Sequence, residues 1–457
     1  MHQSVSAQRS PGFLRANVGD SLSDGDRRSS YVGDMWQVIG IIVAAGLAGS
    51  LLLLAAFLVN LPQRGINYRF DEAPAADESG FLRFLQSLIP LRFSDGNHVR
   101  LLLNGEAFDA MLRAVEQARH TITFENYIYW SGGIGRRFAE AFAEKARAGV
   151  QVHLVLDWVG SWKLDASSLE LMRKAGVEIH LYHRPRFGGM HRLNHRTHRR
   201  ELVIDGRTAF TGGIGLGDKW LGDGRHAGNW RDNHYLVEGP LVGAVQSAFL
   251  DNWLKTSGAV LASELYFPEL SSRGDCHAGF LPGSPGERIS TGRLMIHSFL
   301  KAARHSIRIE QAYFVPDRAL RDALVEAVER GVSVEILLPG EHMDYPIVRR
   351  ASRSLWGPLL QAGVKLYEYQ PSMLHVKTLV IDDHWVVTGS ANFDFRSLYR
   401  NDEVYLIVRD KEFARLHLDV FGSDKEKSHE ITWEAWNNRS PAEKLLDNAA
   451  ALMRTQL

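Results

Sequence analysis

The sequence predicts a duplicated α/β protein behind a single N-terminal membrane span. Three observations carry this reading: a chemical constellation that occurs twice, helical segments alternating with short apolar strands in both copies, and one uncharged run long enough to cross a bilayer. The first constellation is His198-Arg-Arg200-Glu-Leu-Val-Ile-Asp205 followed by Thr211-Gly212-Gly213-Ile-Gly215. The second is His375-Val-Lys377-Thr-Leu-Val-Ile-Asp382 followed by Thr388-Gly389-Ser390-Ala-Asn392. Histidine to aspartate keeps one offset in both, as do the glycines Gly212 and Gly389.

Residues 1–35 are polar, rich in Ser, Gly, Asp and Arg, and are expected to be disordered. Val38 to Val59 carries no charge over 22 residues, which at 1.5 Å per residue spans the ~30 Å hydrocarbon core. A cleaved leader has a shorter apolar core and a basic flank; here Arg27 and Arg28 sit among Asp24, Asp26 and Asp34. A transmembrane anchor is expected over 36–60. Its orientation stays open, because Arg64 and Arg69 balance the charges on the near side. A linker is expected over 61–93, within which Phe81–Leu91 either lies in the headgroup region or packs on the domain that follows.

From about residue 94 the chain reads as two copies of one unit, 94–262 and 263–425, with a helical tail over 426–457. Ala118-Arg-His-Thr-Ile-Thr-Phe-Glu125 matches Ala303-Arg-His-Ser-Ile-Arg-Ile-Glu310, and Ala175-Gly-Val-Glu-Ile matches Ala362-Gly-Val-Lys-Leu. In the first copy, helices are predicted over Phe108–Ala118, Arg136–Ala148 and Ser167–Ala175, the Ala-Gly pairs serving as their C-terminal stops. Such alternation implies a mixed or largely parallel sheet with helices on both faces.

The chain holds 457 residues, its net charge is zero and its pI is near 7.4. No global field therefore recruits nucleic acid. Cys276 is the single cysteine, which excludes a disulfide framework and a cysteine-based metal site.

His375–Ile381 reads as a strand, so His375 and Lys377 project together. Ser390 and Asn392 share a parity and bring a hydroxyl and an amide beside the ammonium. An imidazole, a cation and neutral donors on one surface suit a phosphate diester. Asp205 and Asp382 fall on the opposite parity in turns, which argues for structural roles. Trp230-Arg231-Asp232-Asn233-His234 aligns with Tyr399-Arg400-Asn401-Asp402-Glu403, which sets Glu403 where His234 stands. Either group is placed to hydrogen-bond a catalytic imidazole and fix its tautomer.

On these motifs the chain resembles the phospholipase D superfamily, and within it the membrane-anchored bacterial cardiolipin synthases. The resemblance runs from about residue 94 to 425. It implies two α/β/α sandwich units with mixed sheets about a pseudo-twofold axis and one shared active site. The catalytic set it implies is His198, Arg200, Asp205, His375, Lys377 and Asp382. Ser390, Asn392, Gly213, Glu403 and His234 would attend the substrate. Two departures stand out: Arg200 where the family has lysine, and Gly213 and Gly215 opposite Ser390 and Asn392.

The chemistry expected is phosphatidyl transfer between phosphatidylglycerol molecules to give cardiolipin. One histidine attacks phosphorus and forms a phosphohistidine; the other protonates the departing alcohol and deprotonates the acceptor. The resemblance suggests His198 for the first role and His375 for the second. A hydrolytic phospholipase D with water as acceptor is the alternative. A nuclease is disfavoured by the neutral charge and the anchor, and a non-catalytic scaffold by the intact second motif.

His191, His195 and His198 lie close in sequence, but no carboxylate or cysteine completes a ligand set, so neither metal nor other cofactor is expected. The arginines around them (Arg184, Arg186, Arg192, Arg196, Arg199, Arg200) read as a headgroup patch or as a solvated loop. The expected partners are membrane phospholipids, and the expected location is the bacterial inner membrane with the catalytic part on the cytoplasmic side.

Overall fold

The structure is a computed structural model that describes residues 36–52, 70, 73–184, 194–284 and 290–457. The chain divides into two compact units, Met1–Leu61 and Pro62–Leu457.

In the first unit, residues 36–52 form a largely exposed helix. It covers the first part of the expected span Val38–Val59; residues 53–59, like the N-terminal 35, lie outside the described residues. Among the described residues no helix is long and apolar enough to cross a membrane.

The second unit is built on one mixed sheet of 15 strands. From the centre outward, the first half runs Arg92–Leu103, Asn233–Glu238, Thr208–Gly212, Arg200–Ile204, Thr121–Asn126, Gln151–Asp157 and Glu178–Tyr182. In the same order the second half runs Cys276–Gly283, Glu403–Arg409, Trp385–Gly389, Lys377–Ile381, Ser306–Gln311, Ser333–Pro339 and Lys365–Tyr369. The inner ladders of each half are antiparallel and the outer two parallel. The two predicted α/β/α units share one continuous sheet: Arg92–Leu103 pairs antiparallel with Cys276–Gly283, because each would otherwise leave a row of unpaired N–H and C=O groups at an edge.

Alternation along the strands divides the apolar side chains between two faces. Ile122, Phe124, Leu202 and Ile204 meet the helices Glu106–Gln117 and Gly133–Arg147. Val203, Ala209 and Val237, on the other face, join Val380, Val386 and Leu406 of the second half. Helices Val242–Ser257 and Lys411–Lys425 contribute Val242, Val245, Phe413 and Ala414 to that shared layer. One core thus runs across both halves.

The segment Phe81–Leu91 packs on the domain. Helix Ser79–Leu88 buries Phe81 and Leu85, with the Phe81 ring edge-on to Phe299 and Trp385 at 5.1 and 5.8 Å. The expected helical tail begins instead with a strand, Ser428–Ile431, which pairs antiparallel with Lys365–Tyr369. That pairing satisfies the outer edge, and the helices Trp433–Asn437 and Pro441–Ala451 follow.

Candidate active site

Each motif enters its site by the same route. Arg200 pairs with Asn126, and Lys377 with Gln311, at equivalent register positions of the two halves. Each histidine lies just before its motif strand, where the chain crosses to the other half: the His198 N–H donates to the Asp402 carbonyl at 2.8 Å, and the His375 N–H to the Arg231 carbonyl at 2.7 Å. His375 is therefore outside the strand predicted for it, which begins at Lys377.

Both imidazoles line one open cavity of about 800 Å³ together with Arg200, Tyr127, Tyr313 and Asn392. Their orientation is crossed between the halves. His198 Nδ1 lies 3.0 Å from both carboxylate oxygens of Glu403, a second-half residue. His375 Nδ1 lies 2.6 Å from Oδ2 of Asp232, a first-half residue. A carboxylate on Nδ1 fixes the tautomer that leaves the Nε2 lone pair for chemistry. Arg200 Nη2 lies 2.9 Å from His198 Nε2, so its guanidinium would meet whatever oxygen is bonded to a phosphorus there. Lys377 Nζ lies 2.7 and 3.2 Å from the ring nitrogens of His375 and donates to its carbonyl.

The electrostatics follow from burying four charges and two imidazoles together. Burial, then Arg200, pushes the His198 imidazole down to about 4 against the pull of Glu403. Burial, then Lys377, pushes His375 down to about 3 against Asp232. Each ring is thereby biased towards its neutral form. Burial also lowers the Lys377 ammonium to about 7, although Asp232 opposes the shift. Burial works against ionising Asp232 and Glu403, yet Lys377 and His375 outweigh it at the first and His198 at the second, holding both below the usual carboxylate range.

Several sequence-predicted residues take other places. His234 lies in strand Asn233–Glu238 across from Gly212, and its Nδ1 has no partner among the described residues. The residue equivalent to Glu403 is Asp232, two positions earlier, as the matched crossings at Arg231 and Asp402 show. Ser390 does not face the cavity: its hydroxyl donates to Glu403 Oε2 and accepts from the Val404 N–H. Gly213 offers no free donor, since its N–H goes to the Asn233 carbonyl. It supplies space: a Cβ there would meet Asp232 Oδ1 at 2.1 Å. Asp205 accepts the backbone N–H groups of Arg119, His120 and Thr121 at 2.7–2.9 Å. Asp382 does the same for Arg304, His305 and Ser306. These two aspartates staple a turn in each half and do not line the cavity.

The arginine cluster does not form one patch. Arg199 is fully buried against Asp251, Arg196 reaches Asp157 at 3.3 Å, and Arg186, Arg192 and His191 lie outside the described residues. Among the described residues no group of histidine, cysteine or carboxylate side chains is arranged to hold a metal ion.

A family model described as "Cardiolipin synthase, PLD-like domain" matches residues 111–227 and 296–425. The chain is 35% identical over 376 residues to Cardiolipin synthase 2 of Bacillus cereus, covering 81% of this chain and 73% of that protein. The chain belongs to the cardiolipin synthase family of phospholipase D-like proteins. Within that family it is also 34% identical to Cardiolipin synthase A of Pseudomonas putida, over 82% of this chain and 79% of that one. The crystal structure of phosphatidylserine synthase from Haemophilus influenzae shares the fold, with a TM-score of 0.65 at 13% identity over 82% of this chain and 99% of that one.

Three further residues complete this cardiolipin synthase-family site, and the sequence reading passed over them. Asp232 is one. Trp220 donates its Nε1–H to Asp232 Oδ2 at 3.0 Å, standing in for the hydroxyl that Ser390 provides to Glu403. Trp230 stacks on His375 with ring centroids 5.2 Å apart. Matching acid to acid, Asp232 to Glu403, would have found the first; the tryptophans carry no spacing signal.

Proposed function

We propose that the protein transfers a phosphatidyl group from one phosphatidylglycerol to another, releasing glycerol and forming cardiolipin through a phosphohistidine. The observation that carries this reading is the crossed pair of imidazoles, each oriented by the other half's carboxylate and both opening on one cavity. In the first step His198 Nε2 attacks phosphorus, the P–N bond forms and the P–O bond to glycerol breaks. His375, protonated once the anionic substrate is bound, gives its proton to the departing alkoxide. In the second step the hydroxyl of the acceptor loses its proton to His375, its oxygen bonds phosphorus, and the P–N bond breaks to restore His198. Arg200 and Lys377 neutralise the phosphate throughout.

The chain's membrane attachment through Val38–Val59, with the catalytic unit beside the inner membrane, belongs to the same proposal. Its support is the uncharged run and the membrane lipid, cardiolipin, in the relatives' names. Carbonate extraction of the full chain tests it, and recovery in the soluble fraction overturns it.

The function is tested by lipid analysis of a bacterial host lacking its own cardiolipin synthases, with and without this chain. Cardiolipin is expected only with the chain. Phosphatidic acid in its place would make the protein a hydrolase.

A further inference from the structure

The two halves present pseudo-equivalent loops to the cavity, and the loops differ in charge. After strand Gln151–Asp157 the first-half loop brings Trp162 and Lys163 to the cavity wall; after strand Ser333–Pro339 the second-half loop brings Glu341, Asp344 and Tyr345. One wall is aromatic and cationic, the other acidic.

On the acidic wall Asp344 is built in rather than merely exposed. Tyr313 donates its hydroxyl to Asp344 Oδ2 at 2.5 Å, and the Tyr345 N–H donates to Oδ1 at 2.9 Å. Tyr313 in turn stands edge-on to His375, with centroids 6.3 Å apart. A carboxylate accepts about four hydrogen bonds and a phenol oxygen can still accept after donating its proton. With two of these positions filled, the pair presents acceptors only, next to the imidazole that handles the alcohol's proton. A ligand for it must bring O–H or N–H donors. The lining of the cavity carries five Arg and Lys side chains against three Asp and Glu side chains, so no surplus of negative charge draws in an ammonium headgroup, and an uncharged diol needs none.

We infer that Asp344, with Tyr313 held against it, is the acceptor subsite: it takes the secondary hydroxyl of an uncharged glycerol headgroup and sets the neighbouring terminal hydroxyl, with its proton free, at His375. The inference rests on the transfer reading above. Asp344 and Tyr313 are specificity and positioning residues; the covalent steps remain with the histidines. Loss of this subsite leaves the phosphohistidine to be resolved by water, whose proton passes to His375 as its oxygen bonds phosphorus and the P–N bond breaks.

The test is a product ratio. Purified full-length protein, Asp344→Asn and the near-isosteric Tyr313→Phe are given labelled phosphatidylglycerol in mixed micelles, and cardiolipin and phosphatidic acid are counted. In Asp344→Asn the ratio of cardiolipin to phosphatidic acid is expected to fall about tenfold or more, with a smaller fall in Tyr313→Phe, in line with losing one or two hydrogen bonds. An unchanged ratio in both variants overturns the subsite. So does failure of both variants to consume phosphatidylglycerol, since hydrolysis needs no acceptor site. A second arm adds phosphatidylethanolamine to the wild type; preferential transfer to its ammonium-bearing headgroup also overturns the inference. If the wild type itself makes no cardiolipin, the transfer reading fails, and that result is visible before any variant is compared.

Discussion

The two half-sites carry the same device in different side chains. In the half around His198, a glutamate reaches the imidazole and a serine hydroxyl braces that glutamate. In the half around His375 the carboxylate is one methylene shorter, a glycine makes room for it, and an indole N–H braces it. What is kept is an anion on Nδ1 with a neutral donor behind it, because that alone sets the tautomer and orientation of the ring. Which residues supply it is free, provided the space is shared out consistently. The difference shows that the unit of function is the local hydrogen-bond chain and not the aligned residue.

The largest effect tests whether the half-sites form one unit. His198→Ala and His375→Ala are each expected to remove nearly all turnover of labelled phosphatidylglycerol, by about 10⁴-fold or more, with the double variant costing little extra. Their roles separate on a phosphodiester with an aryl leaving group, which needs no acid. There His375→Asn should accumulate labelled protein and His198→Asn should not. Two single variants each keeping half the activity would mean two independent sites.

A smaller effect comes from exchanging the braces. Gly213→Ser should lower kcat by about 10²-fold or more, since its Cβ would lie 2.1 Å from Asp232 Oδ1 and displace the carboxylate from His375. Ser390→Gly removes one hydrogen bond to a glutamate that still touches His198, and should cost about tenfold. Steady-state kinetics on both variants reads the asymmetry, and equal losses would show that the crowding at Gly213 has no consequence.

The cations differ as well, and pH exposes it. Lys377 sits near 7 whereas Arg200, though lowered by burial, remains a guanidinium. The ammonium is the protonated form, so its contribution is present below that value and lost as pH rises through it. The contribution of Lys377 to kcat/KM should therefore be lost above about pH 7, and that of the His198 nucleophile below about pH 4 as its imidazole takes up a proton. In Lys377→Arg the alkaline fall should move out of the neutral range. A profile unchanged by that substitution would assign the limb to another group.

The smallest difference is expected between Asp205→Ala and Asp382→Ala. Each orphans three backbone N–H groups, so each should lower stability by about 1–3 kcal/mol with kcat nearly intact. Thermal melts beside turnover measurements check this. Loss of kcat without loss of Tm would return the aspartates to the catalytic set.

What could be read from the sequence divides along the same line. The motif histidines, Arg200, Lys377 and the duplication were legible, because each lies in one continuous segment whose strand period fixes its neighbours. The turn position of Asp205 and Asp382 already spoke for structure, and the staples accord with it. The carboxylate for His375 was not legible, since its partner is 143 residues away and the loops before the two equivalents differ in length. Ser390 follows directly on the strand Trp385–Gly389, and parity cannot tell a hydroxyl that meets substrate from one that turns back onto Glu403. The edge strand Ser428–Ile431 was hidden because its four residues carry no apolar alternation; only the open edge of Lys365–Tyr369 recruits it.

The antiparallel pair Arg92–Leu103 and Cys276–Gly283, where the two copies meet, has an evolutionary consequence. Were the same sheet completed by two separate identical chains, one gene would have to write both half-sites, and any change opposite one imidazole would appear opposite the other. Joining the copies in a single reading frame removes that constraint. Position 213 can lose its side chain while position 390 keeps one, and one loop can turn cationic while its counterpart turns acidic. An enzyme whose two substrates are the same molecule in different roles is the kind that gains from such freedom.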